Sequence, residues 1–309
     1  MPTARHRDAL ARGIASLGAI AVATLGLAAA PVHAATDKLL LTGGVTSIDG
    51  AAGGGLTPWA LIGSNATEGE VGGTATLTDV STKTYNLHVI GAALAVDDRA
   101  EISVAHQDFD TGSTGAALGL PALHLQMDVV GAKVRVAGDA VLDSDSPMPQ
   151  VAVGAEYKAL DAGGLAPTLG ALGARTHGTD WYVSATKLFL AQGLLVNATL
   201  RLTKANQNGL LGFGGTAHEG YSLQPEFSAA WLASRTLAFG AEYRFKPDNL
   251  NPSALGAGLK ENDWFDAFVA WAPTKHVSLT AAVVDLGRIV PAVAAKTQAG
   301  GYLSGQLAF

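Results

Sequence analysis

The side chains of this chain that chemistry could use fall into three groups, and only one of them has an informative spacing. The first is His177 with Ser184, a base and a hydroxyl nucleophile of the kind a membrane-embedded lipid hydrolase pairs. No third orienting group or local motif accompanies them, which makes a hydrolase the weakest functional reading. The second is DGAAGGGLTP at 49–58, whose glycines invite a phosphate-cradling loop. It lacks the Lys-Ser/Thr ending and opens no helical pattern, so a flexible segment or tight turn is expected instead. The eight histidines show no ligand pair at fixed spacing and the chain has no cysteine, which leaves no thiolate site. His88 and His124 fall on candidate polar strand faces and are read as wetted lumen residues. No catalytic residue, cofactor-binding residue or metal ligand emerges, and the chain is not read as an enzyme.

The third group is a set of charges at every second position. In Val151–Ala159, Glu156 and Lys158 oppose Val151, Val153, Ala155 and Tyr157. In Leu194–Thr203, Arg201 opposes Val196, Ala198, Leu200 and Leu202. In Leu223–Ala233 and Thr236–Lys246, Glu226, Glu242 and Arg244 oppose Phe227, Trp231, Phe239, Tyr243 and Phe245. A period of two puts each set on one face of a strand. With the apolar faces in lipid, Lys133, Arg135, Glu156, Lys158, Arg201, Glu226, Glu242 and Arg244, together with Glu101, line an enclosed lumen. Such charges either filter solutes in a wet pore or neutralise one another in a plugged one. The ASR turn at 233–235 sets Glu226 opposite Glu242 or Arg244 and favours an ion pair with Arg244.

The elements that hold these faces are strands. Less regular segments at 71–80, 85–96, 99–108, 123–137, 181–189, 263–271, 277–285 and the C-terminus bring the total to roughly 12, an even number as in bacterial barrels. Residues 39–50 and 56–63 raise it to about 14 or form a plug. Between Leu123 and Ala137 the polar phase slips from His124, Gln126 and Asp128 to Lys133 and Arg135, and a bulge near Gly131 would restore it. Trp59, Trp181, Trp231, Trp264 and Trp271 are candidates for interface girdles. Long connections (109–122, 160–180, 204–220, 247–262, 286–300) alternate with mostly short ones, 138–149 being the exception. That is the pattern of outer loops and periplasmic turns. The chain ends on GYLSGQLAF, with Leu303, Gly305, Leu307 and Phe309 on one face.

The N-terminus carries Arg5, Arg7 and Arg12, then an apolar run from Ile14 to Ala30 and Val32-His33-Ala34, which describes a cleaved signal peptide at 1–34. Without Arg5, Arg7, Arg12 and Asp8, the 20 basic and 26 acidic residues become 17 and 25, a net charge of −8. No basic cluster suits a nucleic-acid partner. The charged fraction is 15% and there are 38 glycines, a balance closer to a membrane barrel than to a soluble enzyme. The expected organisation is a signal peptide at 1–34, a Gly-rich segment at 35–70 (first strands or plug) and, at 71–309, an all-β, antiparallel up-and-down transmembrane barrel.

The segments at 38–63, GAKVRVAGDAV (131–141), SATKLFLAQGLLVNATLR (184–201), ANQNGLLGFGG (205–215), GAEYRFKPDNL (240–250) and KHVSLTAAVVDLG (275–287) resemble the proteobacterial family of domain of unknown function 3034. The resemblance covers nearly all of the chain after the signal peptide. It implies export to the outer membrane of a Gram-negative cell and assigns no activity. Outer-membrane lipid is the expected surrounding, and the ending on Phe309 resembles the strand that barrel-assembly machinery recognises. The favoured expectation is a passive porin-like channel for small solutes, without cofactor. The alternative is a non-conducting barrel that presents loops 160–180 and 204–220 for adhesion or complex assembly. A barrel of about 12 strands lies between the filled and the open sizes, so strand number does not choose between them.

Overall fold

The computed structural model describes residues 38–309 except 39, 42, 44, 140–146 and 255, so the expected signal peptide at 1–34 lies outside the described residues. Two short strands, β1 (Val45–Thr46) and β2 (Ala52–Gly53), pair as a hairpin of their own. Twelve strands then form a closed antiparallel barrel: β3 (Val71–Thr82), β4 (Asn86–Val96), β5 (Ala100–Asp110), β6 (His124–Ala137), β7 (Gln150–Asp161), β8 (His177–Phe189), β9 (Leu194–Thr203), β10 (Ser222–Leu232), β11 (Leu237–Arg244), β12 (Trp264–Thr274), β13 (Val277–Asp285) and β14 (Ala299–Ala308). Strand β14 pairs with β3 from Gly300↔Thr82 to Ala308↔Thr74 and closes the ring. Every backbone ladder therefore has a partner on both sides, the condition for β-structure in a bilayer. The wall has twelve strands and not fourteen, because residues 45–64 lie inside it.

The alternation puts apolar side chains on the outside. Leu77, Val283 and Leu303 are 64–65% exposed and Trp231 is 55% exposed, while Glu156 and Lys158 have no exposed area. Apolar residues outside and charges inside make sense only against lipid. The connections at 111–123, 162–176, 204–221, 245–263 and 286–298 are long and lie at one end, the outer one, where 83–85 is the single short turn. Short helices α1 (Gly112–Ala117) and α2 (Ala166–Ala171) form in two of them. None of the described helices is long and apolar enough to cross a membrane.

Strand β6 corrects one expectation. Its register against β5 runs without a break from Ala100↔Val134 to Asp110↔His124, and Gly131 sits in it opposite Ser103. The shift occurs at Arg135/Ala137, against β7. His124, Gln126 and Asp128 thus point outward, and His88 on β4 does too, so neither histidine is the lumen residue expected of it. No bulge is needed, because the environment changes along the strand while its parity does not. Near the outer end, Leu125, Met127 and Val129 turn inward and join an apolar cluster beneath the loops, with Phe109, Leu160, Leu210 and Phe213. Trp181, Trp231 and Trp271 face outward, whereas Trp59 and Trp264 are buried inside and belong to no girdle.

Candidate functional site: a filled lumen

Residues Val45 through Ser64 are buried without interruption. The segment is held by the polar faces of β5–β11 and β14, and its own backbone supplies most of the partners. Toward the short-turn end, Glu101 accepts from the backbone N–H of Ala52 (3.0 Å) and of Gly63 (2.7 Å). Lys133 pairs with Glu101 (3.2 Å) and donates to the carbonyl of Ala52 (2.8 Å). The next layer grips residues 58–60. Thr199 donates to the Pro58 carbonyl (2.8 Å), and Gln150 donates to the Ala60 carbonyl (2.7 Å). Ala60 N–H donates to Thr186 (2.8 Å), and the Trp59 indole donates to Ser228 (3.0 Å). On the opposite wall, Glu242 accepts from Leu56 N–H (2.6 Å) and from the hydroxyls of Thr57 (2.8 Å) and Ser228 (2.9 Å). The approach at Gly54 is tight, since a Cβ there would fall 1.7 Å from a Glu242 oxygen.

The hairpin tip brings Asp49 to the middle of the charge network. Asp49 pairs with Lys158 (3.1 Å) and Arg244 (3.2 Å). Lys158 also meets Asp180 (3.1 Å). Arg201 serves three carboxylates: Glu156 (2.7 Å), Asp180 (3.3 Å) and Glu226 (2.6 Å). Arg244 reaches Glu226 (3.2 Å), the register being Glu226↔Arg244. A low-dielectric interior makes unpaired charges costly, so acids and bases are interleaved here.

The outer end of the lumen is closed by the loop after β9. Asn206, Gln207 and Asn208 are buried, and Asn208 accepts from Arg244 (2.6 Å) and from Lys158 (2.8 Å). Both oxygens of Glu261 accept from Gln207 N–H (3.0 and 2.9 Å), and Lys246 lies 3.5 Å from Glu261. Burial pushes the Glu261 carboxyl up to about 7, with Lys246 pulling the other way. Burial likewise pushes the Lys246 ammonium down to about 8, against the pull of Glu261.

Seven of the eight proposed lumen residues (Lys133, Glu156, Lys158, Arg201, Glu226, Glu242 and Arg244) are buried in this network. Arg135 is apart from it, one-fifth exposed beside Asp98 (3.4 Å) and Asp139 (3.2 Å) at the short-turn end. Sequence reasoning missed Asp49, Asp180 and the Lys246–Glu261 pair. Asp180 shares the even phase of Ser184 and was legible on that ground. Asp49 sits in a glycine-rich segment with no strand period to place it. His177 and Ser184 do not meet. His177 is exposed at the outer end of β8, while Ser184 is buried in the lumen and donates to the Pro58 carbonyl (3.1 Å). Their opposite parity puts them on opposite faces of the wall.

Among solved structures the chain is similar to the KdgM porin, with 8% identity over 76% of this chain and 99% of that one and a TM-score of 0.46. It is similar to the NanC porin at 7% identity, 78% and 100% coverage and a TM-score of 0.47. Outer membrane phospholipase A from Escherichia coli matches at 9% identity, with 76% and 92% coverage and a TM-score of 0.41. Likenesses this distant say nothing about cargo or chemistry. No curated protein matches by sequence. The family model described as "Protein of unknown function (DUF3034)" matches residues 42–306.

Proposed function

The chain belongs to the DUF3034 family, and we propose that it is a porin-like outer-membrane barrel held shut by its own N-terminal segment. The observation that carries this reading is the unbroken burial of residues 45–64 inside the ring. The segment is bound chiefly through hydrogen bonds to charged and hydroxyl side chains, so its removal would expose a polar surface that water can wet. An interior meant only for packing would gain more from apolar side chains, since buried ion pairs add little net stability. The polar lining is therefore the trace of a path for small solutes, and the segment is its gate. The mixed signs along that path favour no strong ion selectivity. The folded outer cap, an apolar core beneath loops 162–176 and 204–221, favours a second role in presenting a rigid outer surface to a binding partner. The exposed Phe309 at the periplasmic end is the handle we assign to the assembly machinery.

Planar-bilayer conductance of the refolded protein tests the reading. The intact protein is expected to be silent while folded, and deletion of residues 45–63 to give discrete steps. Gly54→Leu, which drives a side chain into the Glu242 carboxylate, is expected to give intermittent openings. Steady large steps from the intact protein would refute the plug. A silent deletion variant that is folded would leave only the loop-presenting role.

A further inference from the structure

A cavity of about 180 Å³ opens on the outer side of the wall above β7–β9. Arg175, His177, Lys204, Tyr157, Tyr221 and Glu219 line it. Its level follows from the outward positions of β8, which run His177, Thr179, Trp181, Val183. The change from polar to apolar across these residues marks the upper edge of the membrane band. The cavity therefore sits where lipid headgroups lie.

The three bases come from two segments, Arg175 and His177 at the start of β8 and Lys204 just after β9, whose backbones are locked together through residues 213–214. Arg175 and Phe213 exchange backbone hydrogen bonds (3.0 and 2.9 Å). The Lys204 carbonyl accepts from Gly214 N–H (2.7 Å) and from the Asn249 amide (3.0 Å). The Lys204 ammonium lies 4.6 Å over the Tyr221 ring, and the His177 and Tyr157 rings are 6.5 Å apart. Among the described residues, neither Arg175 nor Lys204 has a carboxylate within ion-pair distance, even though Glu219 lines the same cavity. The outward histidines of β4–β6 contrast with this, because each already has an aspartate: His88 with Asp79, His106 with Asp128, and His124 with Asp108.

We propose that this cavity binds the headgroup of a phosphorylated glycolipid in the outer leaflet. Arg175 and Lys204 take the phosphate, as guanidinium and ammonium groups do. The tyrosine faces pack against the sugar ring, and Glu219 accepts from its hydroxyls. The acyl chains descend over Trp181, Val183, Leu200 and Leu202, all exposed on the wall below. The inference does not depend on whether the lumen conducts.

The test is native mass spectrometry of the refolded full chain with bisphosphorylated lipid A, with the same lipid stripped of phosphate, and with glucosamine 1-phosphate. Lipid A is expected to stay bound, and its dephosphorylated form to be retained about tenfold less or worse, the loss that one charge-assisted contact brings. Arg175→Gln with Lys204→Gln is expected to lose lipid A to the same degree while keeping the heat-dependent gel shift of a folded barrel. Equal retention of the two lipids by the unaltered protein overturns the proposal without any variant, and so does undiminished binding by a folded double variant. Binding of glucosamine 1-phosphate as strong as that of lipid A would overturn it in favour of a soluble phosphosugar site.

Discussion

The lower and upper parts of one wall strand teach opposite rules. In the lower part of β6, Val130, Val134 and Val136 face outward and Lys133 faces in. In the upper part, His124, Gln126 and Asp128 face out, and Leu125, Met127 and Val129 face in. The backbone parity is the same throughout. What changes is the medium on each side. Below, lipid lies outside and a hydrogen-bonding segment lies inside. Above, water lies outside and a packed loop cap lies inside. A side chain in a barrel wall thus follows its local surroundings, and "polar means lumen" holds only at membrane depth.

The largest effect that would break this comparison lies in the charged middle layer of the lumen, around the tip of the plug. Arg201→Ala leaves Glu156, Asp180 and Glu226 facing a gap, with Lys158 and Arg244 the nearest remaining bases. Removing one partner of a buried ion pair costs about 3–5 kcal/mol, and Arg201 serves three carboxylates. The expected result is a barrel that fails to refold or unfolds at much lower urea, followed by tryptophan fluorescence. A variant as stable as the parent would mean that water already fills this layer and that the plug is not tightly seated.

Much of the wall was readable because lipid enforces a strict period of two. Thr236–Lys246 is expected as a strand and Leu237–Arg244 forms one; Leu194–Thr203 agrees at both ends. The choice between first strands and plug for residues 35–70 was not readable. A segment gripped by side chains from many strands needs no period, and its glycines serve close approach, as at Gly54 against Glu242. Asp49 was hidden for the same reason. The Gly131 bulge was a wrong inference from a sound observation, since the polar phase does slip but at the boundary between two media. Trp264 misled similarly, because it lies at the outer end of its strand yet faces the cap.

The cap gives a smaller, pH-dependent effect. Glu261 titrates near 7 in the folded chain, raised from its ordinary 4.5 by burial. An acid raised in this way contributes stability that is complete below its unfolded pKa and is lost as pH rises through its folded one. The loss falls between about pH 4.5 and 7, below the range in which Lys246 titrates, and amounts to at most about 3 kcal/mol. Thermal unfolding should therefore move to lower temperature from pH 5 to 7, and Glu261→Gln should flatten the trend. A parallel slope in the variant would place the pH dependence elsewhere in the barrel.

The smallest effect sharpens the comparison from the outside. His106 and Asp128 form a 2.7 Å pair on the outer face, with side chains 46% and 26% exposed. Exposed pairs are worth about 0–1 kcal/mol because water and salt screen them. His106→Ala is expected to leave the urea midpoint nearly unchanged, although the residue differs little in polarity from those buried a strand's thickness away. A loss approaching that of Arg201→Ala would show that this belt is dry, covered by a partner or by lipid rather than by water. The membrane band on β3–β6 would then reach higher than the change from Val130 to Asp128 implies.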